Sequence, residues 1–141
     1  MIHEQINATE KQPHKLMNML LWGVQLLIFI AFVIFGGMKM LMPVSQLAAM
    51  WVWPGQVPVH FLRGMGLIDA LGGAGILLPA LLKIKPQLSV WAASGCTLLQ
   101  ICAITFHISR GEAAVTPLNF ILLALCGFIL WGRLRVVPFS R

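Results

Sequence analysis

The sequence predicts an all-α membrane fold, a four-helix transmembrane bundle with a short interfacial helix in the first outer loop. Three observations predict it. Of 141 residues, 59% are hydrophobic and only 10% are charged, whereas a soluble domain carries about 25% charged residues. Four stretches approach the length of about 20 apolar residues needed to cross roughly 30 Å of hydrocarbon. The Lys and Arg residues sit in short clusters beside those stretches, which is how membrane proteins fix their orientation. A disordered chain, a collagen-like fold and an ordinary cytosolic enzyme are thereby excluded, and the length allows one domain. The net charge of +6 forms no nucleic-acid footprint, so the expected surroundings are a lipid bilayer.

The first spanning helix is expected from about 16 to 35, ending at Gly36-Gly37. The polar lead before it, 1–15, is long, and no small-residue cleavage pattern precedes Gly36, so the segment reads as a permanent helix. The outer connection from 38 to 60 contains Pro43, Pro54 and Pro58 and cannot be one regular helix. Ser45 is placed to cap a short helix there, and Trp51 and Trp53 suit a membrane–water interface. The second span is expected over 61–82, with Pro79 kinking or ending it, and the third over 88–108. The fourth, over 117–131, is short and is expected to borrow residues from 113 onward and from 132–137. The expected organisation is a lead (1–15), one bundle (16–137) and a tail (138–141).

Lys11, Lys15, Lys83, Lys85, Arg133, Arg135 and Arg141 fall on one side of this arrangement, and Lys39, Arg63 and Arg110 on the other. The bias places both termini in the cytoplasm, in a bacterial cytoplasmic membrane. Cys96, Cys102 and Cys126 lie in apolar stretches without any Cys-x-x-Cys spacing. That argues against a disulfide framework and against a metal site, and the thiols read as small hydrophobes.

Polar groups inside spans are costly, so each one is a functional candidate. Asp69 lies about nine residues into the second span, roughly 13 Å deep at 1.5 Å per residue. A lone carboxyl there is a hydrogen-bond donor or proton carrier, or it only fixes helix packing. Gly66 and Gly73 share its face, at i−3 and i+4. With Gly64, Gly72 and Gly75 they either bring a neighbouring helix close or leave room for a flat ligand. His107, Gln100 and Thr97 form a polar stripe on the third span, and His exchanges protons near neutral pH. Arg63 is expected to snorkel outward or to meet Glu112. Asn119 and Gln25 complete the set. Asp69, His107, Gln100, Arg63 and Asn119 are thus the ligand-binding or proton-relay candidates, with Gly66 and Gly73 as a ligand-access face. No residue is assigned to catalysis, and no pair of half-repeats marks a transporter.

Phe35-Gly36-Gly37-Met38-Lys39, then Phe61-Leu62-Arg63-Gly64-Met65-Gly66-Leu67-Ile68-Asp69 and Leu71-Gly72-Gly73, resemble the DoxX-like family of small four-helix membrane proteins. The family pattern has Gly-x-Lys after the first helix and an R-x-x-G-x-x-E/D-x-x-G-G run in the second. Lys39, Arg63, Gly66, Asp69, Gly72 and Gly73 occupy those places, and His107, Gly111 and Glu112 fit a late His followed by a Gly-Glu turn. Asp69 stands where Glu is commoner, which shortens the reach of that carboxyl by one methylene. The resemblance implies association with membrane thiosulfate:quinone oxidoreductase or related redox complexes. A quinone is then the expected ligand, and electrons would come from a membrane or soluble redox partner, because the chain has no flavin, haem or iron–sulfur motif. The other expectation is a non-enzymatic assembly factor, chaperone or lipid-binding bundle, and a homo-oligomer fits either.

Overall fold

A backbone crossing lipid must satisfy its own hydrogen bonds, so each span of this protein is helical for at least the hydrocarbon thickness. The structure, a computed structural model, describes residues 1–139, and over 6–13 the backbone alone. Helix α1 is Ile2–Leu41, α2 is Val44–Met50, α3 is Val59–Leu81, α4 is Gln87–Ser109 and α5 is Pro117–Trp131. A 3₁₀ turn, Trp53–Gln56, follows α2, a second, Ala113–Val115, precedes α5, and a π turn, Gly132–Val136, continues α5. Four segments are long and apolar enough to cross a membrane: His14–Leu41, Val59–Leu81, Gln87–Ser109 and Pro117–Val136. The fold is therefore the all-α, four-span bundle that the apolar runs predict, with α2 in the first connection. Lys11 and Arg141, counted in the charge bias, fall outside the described side chains.

Both ends of α1 and the cap of α2 differ from expectation. Helix α1 begins at Ile2 rather than 16 and continues through Gly36-Gly37 to Leu41. Once a span exists, adding residues to its end costs little, and in lipid two glycines are no reason to break the hydrogen-bond ladder. At about 1.5 Å per residue α1 is about 60 Å long, twice the hydrocarbon thickness. The chain leaves α1 at Met42, which is extended ahead of Pro43, the conformation a following proline favours. Ser45 is not the cap of α2; that place belongs to Pro43, and no side chain caps the helix. Pro79 does not end α3, which runs on to Leu81. The reversal comes at Lys83 and Lys85, both in the left-handed region (φ 56° and 47°), before Pro86.

The spanning helices pack in a ring, α1 on α3, α3 on α4, α4 on α5 and α5 back on α1. Only 28–33% of each span is buried inside the bundle, so its remaining face is left for lipid. The core contains Ile28, Phe32, Ile76, Ala93, Leu122 and Ile129 together with Cys96 and Cys126. All three cysteines are free thiols, and Cys102 is exposed.

Glycines of α1 and α3 make the closest backbone-to-backbone approaches. A Cβ on Gly36 would lie 2.6 Å from the Gly66 carbonyl oxygen, and one on Gly66 would lie 2.7 Å from the Gly36 oxygen. A Cβ on Gly73 would meet Phe32 Cβ at 2.8 Å. On the neighbouring side Gly72 and Gly75 face Cys96 and Ala92 of α4. Small residues of this kind let helices approach to backbone contact in lipid.

Candidate functional site

The end of the bundle that carries the α1–α3 and α4–α5 connections, the outer end by the charge-based expectation, is built on one fixed helix terminus. The last carbonyls of a helix have no partner within it, and they carry the negative end of its dipole. Arg63 of α3 meets this need for α1: its Nη1 donates to the carbonyls of Lys39 and Met42, both at 2.7 Å. Arg63 therefore does not pair with Glu112; the cationic group nearest its own helix start is used to hold the neighbouring helix.

With α1 fixed, Lys39 reaches inward. Its Nζ donates to Asp69 Oδ2 at 2.5 Å, with the Asp69 side chain 8% exposed and Lys39 19% exposed. Asp69 is thus not a lone carboxyl. A charge in this setting persists when it is paired and hydrogen-bonded, and Lys39 supplies both.

A second polar group stands on α4 and α5. His107 Nδ1 lies 3.0 Å from Glu112 Oε2, and Arg110 Nε donates to Glu112 Oε1 at 3.1 Å. Arg110 also donates to Gln56 Oε1, which ties the first outer loop to the α4–α5 connection. The Arg110 guanidinium and then the His107 ring hold the Glu112 carboxyl below the usual glutamate range. Asn119 Nδ2 donates to Gln100 Oε1 at 2.9 Å, joining α5 to α4. Thr97 takes no part; its hydroxyl donates back to Ala93 O at 2.7 Å within α4.

Between these groups lies a cavity of about 460 Å³, within the range of small-molecule sites. Lys39 and Asp69 line it from α1 and α3, and Gln100, His107 and Asn119 from α4 and α5. The rest of the wall is mainly aromatic and aliphatic, with Phe32, Phe35, Trp51, Trp53, Phe61 and Phe106 among its residues. Trp53 joins the two polar groups: Lys39 Nζ is 5.8 Å from its ring centre, and the His107 ring meets it edge-on at 6.1 Å. Trp51 meets Phe35 edge-on at 6.0 Å. The short helix and turn of the outer loop thus contribute two indoles to the cavity wall.

Four of the five candidate residues, Asp69, His107, Gln100 and Asn119, line this one cavity; Arg63 instead braces α1. Gly66 and Gly73 are not among the lining residues, because α1 covers the face that they share. Sequence reasoning assigned no site role to Lys39, Trp51, Trp53, Phe106 or Glu112. Lys39 carried a signal, since an acid in an apolar helix needs a basic partner and Lys39 belongs to the motif that ends α1.

Gln25 belongs to a different cluster, at the opposite end of the bundle. Its Nε2 donates to Ile76 O at 2.8 Å, and its Oε1 accepts from Arg133 Nε at 2.9 Å. Arg133 is 3% exposed. Its Nη1 donates to Asn18 Oδ1 at 2.7 Å and to Val137 O at 3.3 Å.

A sequence model of the DoxX-like family matches residues 23–129. Neither the curated proteins nor the solved structures contain a match.

Proposed function

The chain belongs to the DoxX-like family, and from that premise we propose that it is the ligand-binding component of a membrane redox complex, taking a planar, carbonyl-bearing molecule of the quinone class. The observation that carries the reading is the composition of the outer cavity. Its aromatic side chains favour a flat ring through stacked or edge-on contacts. Its polar groups stand on both sides, Lys39 and Asp69 from one pair of helices, Gln100, Asn119 and His107 from the other. Two separated ring oxygens need that disposition.

A bound quinone supplies two-electron, two-proton chemistry, with electrons delivered by a partner protein. The chain's own residues bind and handle protons. Lys39, held by Asp69, presents positive charge to a carbonyl oxygen. Glu112 accepts at His107 Nδ1 and so orients the ring, leaving Nε2 to exchange a proton. A proton gained at Nε2 is matched by release of the Nδ1 proton to Glu112, which is 21% exposed and so opens toward the outer surface.

The test is quenching of Trp fluorescence by a short-chain quinone, with the protein in lipid nanodiscs. Trp51 and Trp53 line the cavity, so saturable quenching is expected. Ala103→Phe, which fills the cavity without touching a polar group, should abolish the saturable component. Gln100→Leu should weaken binding about tenfold, the effect of losing one hydrogen bond of about 1.4 kcal/mol. Quenching that is unsaturable, or unchanged in Ala103→Phe, would overturn the reading and favour an assembly or lipid-binding bundle without redox chemistry.

A further inference from the structure

Arg133 lies outside the cavity, and no step proposed there uses it. Its guanidinium has five N–H donors, and three are spoken for, by Gln25, Asn18 and Val137. All three acceptors are neutral. Nη2 is buried and has no hydrogen-bond partner among the described residues. The ion pairs among those residues are Lys39–Asp69, His107–Glu112 and Arg110–Glu112, and Arg133 is in none of them. Aromatic rings cover it: the guanidinium carbon is 5.3 Å from the Trp22 ring centre and 4.4 Å from that of Phe139. A cation inside a protein costs free energy unless an anion or a full set of hydrogen bonds offsets it. Among the described residues no anion does so, and two hydrogen bonds, both on the same nitrogen, are unmade.

We propose that Arg133 is the centre of a binding site for the phosphate of an anionic membrane phospholipid, whose oxygens take the two free Nη2 donors. Arg is the side chain best suited to that group, because its planar donors match phosphate geometry and it tolerates desolvation. The location selects the lipid headgroup over other phosphates, since Arg133 lies in the last turn of the fourth membrane span. Exposed Lys83, Lys85 and Arg135 stand at the same end of the bundle and raise the local concentration of anionic lipid. Ser89, in the first turn of α4 at that end, has a second buried polar atom without a partner among the described residues. Entry runs beneath the tail: Val137 has left the helix and Pro138 is exposed, so Phe139 can lift from the guanidinium without disturbing a span.

The experiment measures lipid retention by native mass spectrometry and the unfolding midpoint of the purified full chain in detergent. Phosphatidylglycerol, phosphatidylcholine and inorganic phosphate are added in separate arms. Phosphatidylglycerol should raise the midpoint and stay bound, and the other two should do neither. Arg133→Lys keeps the charge but removes the Nη2 donors, and should weaken phosphatidylglycerol binding about tenfold. Lys83→Gln with Lys85→Gln should change it less than threefold. Phe139→Ala lies outside the spans and tests the same site should Arg133→Lys fail to fold; by removing the ring that must lift for entry, it should raise phosphatidylglycerol retention. Equal stabilisation by inorganic phosphate would overturn the lipid assignment. Unchanged binding in Arg133→Lys, or in Phe139→Ala where Arg133→Lys does not fold, would overturn the site. So would the absence of retained lipid in the wild type. Quinone quenching in the outer cavity is a separate readout, so either proposal can fail alone.

Discussion

Asp69 and Lys39 illustrate what a single charge requires at this depth. Neither is comfortable alone among apolar side chains, and each is the other's main compensation. Removing one partner of a buried pair costs about 3–5 kcal/mol, because the survivor is left unpaired, whereas replacing both with apolar residues is often neutral. Asp69→Leu and Lys39→Met should therefore each destabilise by about that amount, and the double variant should approach wild-type stability. Denaturant unfolding in mixed micelles measures this; additive losses would show that the two residues do not act as a pair. Glu112 makes a different prediction, through pH. Arg110 and His107 favour its charged form in the folded state, so folding lowers its pKa. The stabilisation is complete above the usual glutamate range and is lost as pH falls through the lower folded value. A stability profile should thus decline on its acid side, and Glu112→Gln should flatten that decline. A profile that keeps its shape in the variant would remove Glu112 from the linkage.

At the scale of elements, the α1–α3 seam does most to set the geometry of the cavity. Gly36 and Gly66 bring the two antiparallel backbones together, which sets Lys39 beside Gly66 and Asp69 beside Gly36, so the Lys39 side chain extends about one turn along the seam to reach the carboxyl. A methyl group on Gly36 would press on backbone atoms of α3 at 2.6 and 2.8 Å, which cannot move aside as a flexible side chain can. Gly36→Ala should cost about 1–3 kcal/mol, the usual penalty of overpacking. It should also loosen quinone binding by shifting Lys39. Gly37→Ala, where nothing lies within 4 Å, should do neither, and equal effects at the two positions would mean that the seam is not what spaces the helices. The spans themselves were legible in the sequence because a run of apolar residues fixes their length. The ends were not. The expectation that Gly36-Gly37 stops α1 applies a rule learned from helices in water, where a broken ladder is rescued by solvent. In lipid the ladder continues to Leu41, and α3 runs past Pro79 to Leu81.

Considered whole, the molecule separates its charges by use, and this is also where the sequence was least readable. Lys39 finds Asp69 across 30 positions and Asn119 finds Gln100 across 19, so the polar groups were visible singly while their pairing was not. Arg133 was counted only as a flanking positive charge, because its burial depends on Asn18 and Gln25 more than a hundred positions away. The distinction bears on orientation. Toward the outer end each described Lys and Arg of the bundle is engaged: Lys39 by Asp69, Arg63 by the end of α1, Arg110 by Glu112 and Gln56. Toward the other end Lys15, Lys83, Lys85 and Arg135 are exposed, with Arg133 buried between them. The free positive charge is therefore more lopsided than a count of Lys and Arg suggests, and free charge next to a span is what holds a loop in the cytoplasm. We expect both termini there. In a bacterial host, a green fluorescent protein fused after residue 139 should fluoresce, and alkaline phosphatase fused at the same point should be inactive. Phosphatase inserted between α2 and α3 should be active. Lys83→Gln with Lys85→Gln should yield a mixed population by weakening the hold on the α3–α4 turn. An active C-terminal phosphatase in the unmodified chain would reverse the assignment and turn the outer cavity to face the cytoplasm.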